Sequence, residues 1–119
     1  MSKLQALLVG SLILSSHALA FPSDWNRQAL EAIDSICADT WCSGDYNYRF
    51  DSLKCDFNRE VCILRYRAAE WPAEGKPMRF NRTGRCKLTG IRSPRDLIES
   101  TGGDRLKDAP YEQITACLP

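Results

Sequence analysis

Histidine is almost missing from this sequence. Its one copy, His17, lies among the first twenty of 119 residues, in a stretch that reads as a secretory leader. The chain expected after cleavage has none, which argues against histidine general bases, Ser-His or Cys-His nucleophile pairs, and histidine metal ligands. Membrane-spanning apolar length is missing too. The run Leu4–Leu14 is interrupted by Gln5, Gly10 and Ser11, and it is well short of the roughly 18–20 residues that cross a bilayer as a helix. Net charge is slight. Without the leader, 15 acidic and 15 basic side chains balance, so there is no overall pull towards nucleic acid or anionic membranes. Linkers, internal repeats and low-complexity tracts are also lacking between Phe21 and Pro119, and a single domain is expected.

What is present begins with the leader itself. Lys3 supplies the positive start, the apolar run follows, and Ala18-Leu19-Ala20 gives the small-x-small pattern of a signal-peptidase site. Residues 1–20 are therefore expected to be removed, leaving 21–119 as an exported domain, periplasmic or extracellular, with no membrane insertion. All six cysteines fall in that domain: Cys37, Cys42, Cys55, Cys62, Cys86 and Cys117. An even count in a short exported chain reads as a disulfide framework. A zinc site would want closely paired cysteines, often with histidine. Here the gaps enclose four, twelve, six, twenty-three and thirty residues. A reactive dithiol would have two residues between its cysteines, whereas Cys37 and Cys42 have four and sit beside Asp39 and Asp45. Inert bridges are the expectation, and no metal or cofactor is called for.

Periodicity predicts an α+β domain: an N-terminal helix on a small antiparallel sheet of three to four strands, followed by short C-terminal helices. Ser23 suits an N-cap, and Trp25, Ala29, Ala32, Ile33 and Ile36 form one apolar face at helical spacing. After Ser43-Gly44 the period becomes two. Tyr46, Tyr48 and Phe50 alternate with polar residues, and Leu53, Cys55 and Phe57 continue the pattern past a bulge or bend. Cys62, Leu64 and Tyr66 alternate beyond Asn58-Arg59. An even loop there sets Cys55 opposite Cys62 and Leu53 opposite Leu64, while an odd loop would flip every side chain to the other face. A Cys55–Cys62 bridge is predicted. Trp71 to Pro77 is a break rich in turn-formers. Met78 and Phe80 then resume alternation, which Cys86 and Leu88 share, with Gly84 read as a bulge or turn. Ser93-Pro94-Arg95-Asp96 has the chemistry of a second helix start, ended by Gly102-Gly103. Asp108-Ala109-Pro110 opens another, whose Cys117 can tie the tail back to Cys86.

Two kinds of chemistry compete for the stretch from Cys37 to Cys55. Asp45, Asn47, Arg49, Asp51 and Asp56 fall at calcium-loop positions one, three, five, seven and twelve. Phe50 stands where the frame needs a tight turn, and Arg49 puts a cation where an oxygen ligand belongs. Carboxylate-dependent hydrolysis of glycans survives the lack of histidine. Its available acids are Asp39, Asp45, Asp51, Glu70 and Glu74, but no spacing singles out a pair. The sequon Asn81-Arg82-Thr83 matters only in a eukaryotic secretory route.

Charge is uneven along the chain: −4 over Asp24–Asp56, +7 over Phe57–Arg95 and −3 over Asp96–Pro119. The simplest expectation is that acidic and basic regions face each other within the fold. Eleven of the fifteen bases beyond the leader are arginines, suited to bidentate contact with carboxylate or phosphate. Tyr, Trp and Arg dominate protein-recognition hot spots, so the partner-binding candidates are Trp41, Arg65, Arg67, Trp71, Arg79 and Arg82. In size, leader and bridges the chain is similar to the small periplasmic inhibitors and immunity proteins that bacteria direct at cell-wall hydrolases. No motif is shared, and no family is assigned. The expected function is an exported protein-binding domain whose partner is a secreted or cell-wall-degrading enzyme. A glycan hydrolase and a structural envelope component are the alternatives.

Overall fold

The computed structural model describes residues 25–39, 44–99 and 105–119. The leader, Ser23, Trp41, Cys42 and Gly102-Gly103 lie outside the described residues.

Helix α1, Trp25–Asp39, packs on a sheet of three antiparallel strands in the order β1–β2–β3: Tyr46–Asp56, Val61–Glu70 and Arg82–Thr89. The fold is α+β. The helix buries Ala29, Ala32, Ile33 and Cys37, with Trp25 and Ile36 half-buried at its margins. This is the face its spacing predicted, shifted by the inclusion of Cys37. Asn26 on the same helix donates to the carbonyl of Leu53, so the helix also satisfies part of the β1 edge.

Strand β1 keeps its apolar residues on one side by means of a bulge. Phe50 opposes Tyr66 and Leu53 opposes Leu64, with the register shifting between Phe50 and Ser52. Asp51 is the extra residue. Without it, Leu53 and Cys55 would turn outward, because alternation is strict. The hairpin register is the one the two cysteines required: Cys55 opposes Cys62, and the two are bridged. Its four-residue loop begins with an Asx turn, in which the Asp56 carboxylate accepts from the amides of Asn58 and Arg59 at 3.1 and 3.3 Å. The loop ends with Glu60 at φ 58°, a left-handed conformation held by the amide of Ile91 donating to its carbonyl at 3.2 Å.

The third strand starts later than its sequence pattern suggested. Met78 and Phe80 precede it and cross the outer side of the sheet, where the Asn47 amide lies 3.0 Å from the Met78 sulfur and Phe80 stacks beneath Arg49. Ala69, the cross-strand neighbour of Asn47, is fully buried although it points away from α1. Gly84 marks neither a bulge nor a turn, because β2 and β3 pair without interruption. Tyr66 lies over it instead, and any Cβ at Gly84 would overlap the hydroxyl end of that ring.

The expected second helix is only a 3₁₀ turn, Pro94–Asp96. Ser93 is extended and its side chain makes no capping bond; the Asp96 carboxylate reaches back to the amide of Arg92 at 2.9 Å. Leu97 and Ile98 then enter the core directly, and Ile98 pairs with Leu106 in an antiparallel bridge. Extended pairing here replaces further helix. Helix α2, Asp108–Cys117, buries Pro110 and Ile114 and ends in the Cys86–Cys117 bridge. The carboxamide of Gln113 caps the outer edge of β3, accepting from the Thr89 amide at 2.8 Å and donating to its carbonyl at 3.1 Å. Such a contact protects an otherwise open strand edge. Cys37 is also disulfide-bonded. Each bridge typically stabilises a small domain by about 2–4 kcal/mol.

Candidate functional site

The structure divides the candidate binding residues between two places. Trp71 follows the last residue of β2, where Pro72 ends the ladder. It is 51% exposed, the one large hydrophobic side chain so exposed among the described residues. Its indole N–H donates to the carbonyl of Gly44 at 2.8 Å, which pins the ring across the start of β1. On one side lies an open cleft of about 330 Å³ that includes Glu70, Pro72, Arg79, Asn81 and Arg82 in its lining. Arg82 stands over the Tyr46 ring at 4.9 Å and within 3.7 Å of Glu70. On the other side, Trp71 helps to line a hollow of about 360 Å³ with Asp34, Cys37, Asn47 and Tyr48. Burial, and then the nearby Glu31, push the Asp34 carboxyl above its ordinary range. The hydroxyl of Tyr48 donates to the carbonyl of Pro119 at 2.8 Å, so the chain end is tied to the same wall.

The second place is the sheet face turned away from α1. Strand parity puts Arg65 and Arg67 there, as expected. Arg67 grips Asp51 through a two-pronged contact, Nε to Oδ2 at 2.9 Å and Nη2 to Oδ1 at 2.8 Å. The bulge is what turns Asp51 towards it. These hydrogen bonds hold the Asp51 carboxyl below its ordinary range, with the charge of Arg67 adding to the effect. Arg65 and Arg67 border an open groove of about 520 Å³ with Asp51, Thr83 and Arg85.

Sequence reasoning missed Arg85, Thr83 and the role of Asp51. The parity of Cys86 and Leu88 already turns Arg85 outward. Pairing it with Arg65 needs the β2–β3 register, which the connection from Trp71 to Asn81 leaves open. Arg79 and Arg82 belong to the Trp71 cleft rather than to this groove.

Among the described residues, the basic stretch Phe57–Arg95 meets the two acidic stretches in three ion pairs, Asp51–Arg67, Asp56–Arg59 and Asp96–Arg92. Of the acids weighed for hydrolysis, Asp51 and Glu70 are engaged by arginines.

No family model, curated protein or solved structure matches this chain.

Proposed function

We propose that this chain is an exported, disulfide-stapled protein-binding domain that engages its partner through the Trp71 corner. The observation that carries the reading is Trp71 itself. A large indole is held at half exposure by its own hydrogen bond and flanked by Arg79 and Arg82. Trp and Arg in a pre-positioned cleft are the residues that make binding hot spots, since rigid aromatic area binds with little loss of side-chain freedom. The leader pattern and the disulfides support export. In an exported setting, the partner we favour is a secreted or cell-wall-degrading enzyme, with the domain acting as its inhibitor or immunity protein.

Affinity capture with the oxidised protein, from envelope and culture fractions, tests this. A stoichiometric partner should be retained and then weakened about thirtyfold or more by Trp71→Ala, with the thermal midpoint nearly unchanged. Partner binding indifferent to Trp71→Ala would contradict the assignment. So would glycan cleavage that disappears when a single acid is replaced.

A further inference from the structure

The outer face of the sheet carries a pattern that folding does not explain. Arg49 stands directly opposite Arg67, and Arg65 directly opposite Arg85. In the next layer Lys54 and Lys87 flank Ile63. Like charges directly opposite each other destabilise a sheet. Arg49 is placed over Phe80 and Arg67 is neutralised by Asp51. Arg65, Arg85, Lys54 and Lys87 have no ion-pair partner among the described residues. An acid at either end of the Arg65–Arg85 pair would have cured the repulsion within the fold.

We infer that the groove between Arg65 and Arg85 binds an acidic glycan, whose carboxylate or sulfate groups sit between the two guanidinium groups. Side chains opposite each other on adjacent strands lie about 5 Å apart at Cβ, so one oxyanion can accept from both arginines. Arginine suits this because its planar fork matches carboxylate and related oxyanions in pairs of hydrogen bonds. The lysines continue the cationic track along the strands, where same-face residues recur about every 6.6 Å. That extension, in an open groove, fits a linear chain better than an enclosed small molecule. Thr83 and the free edges of the Asp51 carboxylate add neutral and accepting partners of the kind sugar hydroxyls use.

Two other polyanions fit less well. Single-stranded nucleic acid is held by aromatic platforms beside the cations. Here Tyr48 and Phe50 are buried in the core, Phe80 lies beneath Arg49, and Tyr66, the one aromatic in the groove's lining, has its ring occupied by Gly84 and Tyr48. A protein partner would want an apolar centre to its interface, and the exposed apolar anchor, Trp71, belongs to the other site. The glycan site is therefore separate from the protein-binding corner.

Titration of the oxidised protein with polygalacturonate and with heparin, at low salt, tests the inference. Neutral dextran and a single-stranded DNA oligomer serve as the comparison ligands. Binding to at least one acidic polysaccharide is expected. It should weaken about tenfold or more in the Arg65→Gln/Arg85→Gln variant, which removes two charge-assisted contacts, and be unchanged in Trp71→Ala. If the double variant misfolds, Arg85→Gln on the edge strand carries the same expectation alone. Failure to bind either polysaccharide would overturn the inference. So would equal affinity for the DNA oligomer, or binding that survives the loss of the two arginines.

Discussion

One sheet presents two faces built on opposite rules. Towards α1, the cross-strand layers run Phe50–Tyr66–Gly84, Leu53–Leu64–Cys86 and Cys55–Cys62–Leu88. Each layer joins apolar or aromatic groups, or fits a ring over a glycine. Away from α1, the layers run Arg49–Arg67–Thr83, Ser52–Arg65–Arg85 and Lys54–Ile63–Lys87. The first face is accounted for by burial, which stabilises the fold by roughly 25 cal/mol per Å² of apolar surface removed from water. The second works against folding where Arg65 meets Arg85. A face that costs stability and yet is built around the central strand of the sheet is best understood as kept for a ligand.

The largest expected effect breaks the comparison at its centre. Leu64 and Ile63 are neighbours on β2 but point to opposite faces, Leu64 fully buried and Ile63 half-buried. Leu64→Ala should cost about 2–5 kcal/mol in urea unfolding, the usual range for a truncated core leucine. Ile63→Ala should cost well under half of that. Similar losses at both positions would mean that the outer face is as structural as the inner one.

A smaller effect tests how the inner face closes over Gly84. Tyr66 packs edge-on against Tyr48 at 5.9 Å, so its ring is not free to swing away from an added methyl group. Gly84→Ala should destabilise by about 1–3 kcal/mol, as overpacking does. Combining it with Tyr66→Leu, which clears the space, should recover part of that loss relative to the sum of the single changes. A harmless Gly84→Ala would mean that the ring shifts more readily than its contacts imply.

These contrasts also mark how far the sequence could be read. The two faces were legible because alternation is a local property: it placed Tyr48, Phe50 and Leu64 inward and Arg65 and Arg67 outward. The β1–β2 register was legible because one bridge and one apolar pair, Cys55–Cys62 and Leu53–Leu64, demand the same even loop. Features set by distant contacts were not. Met78 and Phe80 have strand-like alternation, but it serves to cover Asn47 and Arg49 across the sheet. Ser93-Pro94-Arg95-Asp96 has sound helix-start chemistry, yet Leu97 and Ile98 are claimed by the core and by the bridge to Leu106 within one turn. Gly84 resembles a strand breaker until its cross-strand neighbour is known to be Tyr66. The Arg65–Arg85 pair was illegible for a similar reason, since neither arginine reveals the other without the register.

The smallest expected effect concerns Asp51, the acid on the outer face that a guanidinium holds in a two-pronged grip. Because Arg67 holds the folded-state pKa of Asp51 below its ordinary value, the contact stabilises the fold fully above the unfolded carboxylate pKa of about 3.9. That contribution is lost as pH falls through the lower, folded value. Asp34 has the opposite sign. Burial raises its folded pKa, so its ionised form opposes folding at neutral pH, and the penalty is relieved as pH falls through that raised value. Asp51→Asn should therefore lower stability at pH 7 by no more than about 1 kcal/mol, the range for exposed pairs, and flatten the acid loss of stability. Asp34→Asn should raise stability at pH 7 and steepen the acid loss. Urea midpoints of the three proteins from pH 7 down to about pH 3 would separate the two groups. Parallel curves for the wild type and Asp51→Asn would mean that the grip of Arg67 on the bulge adds nothing to the fold. In that event Arg67 would join Arg65 and Arg85 as a cation held for the ligand alone.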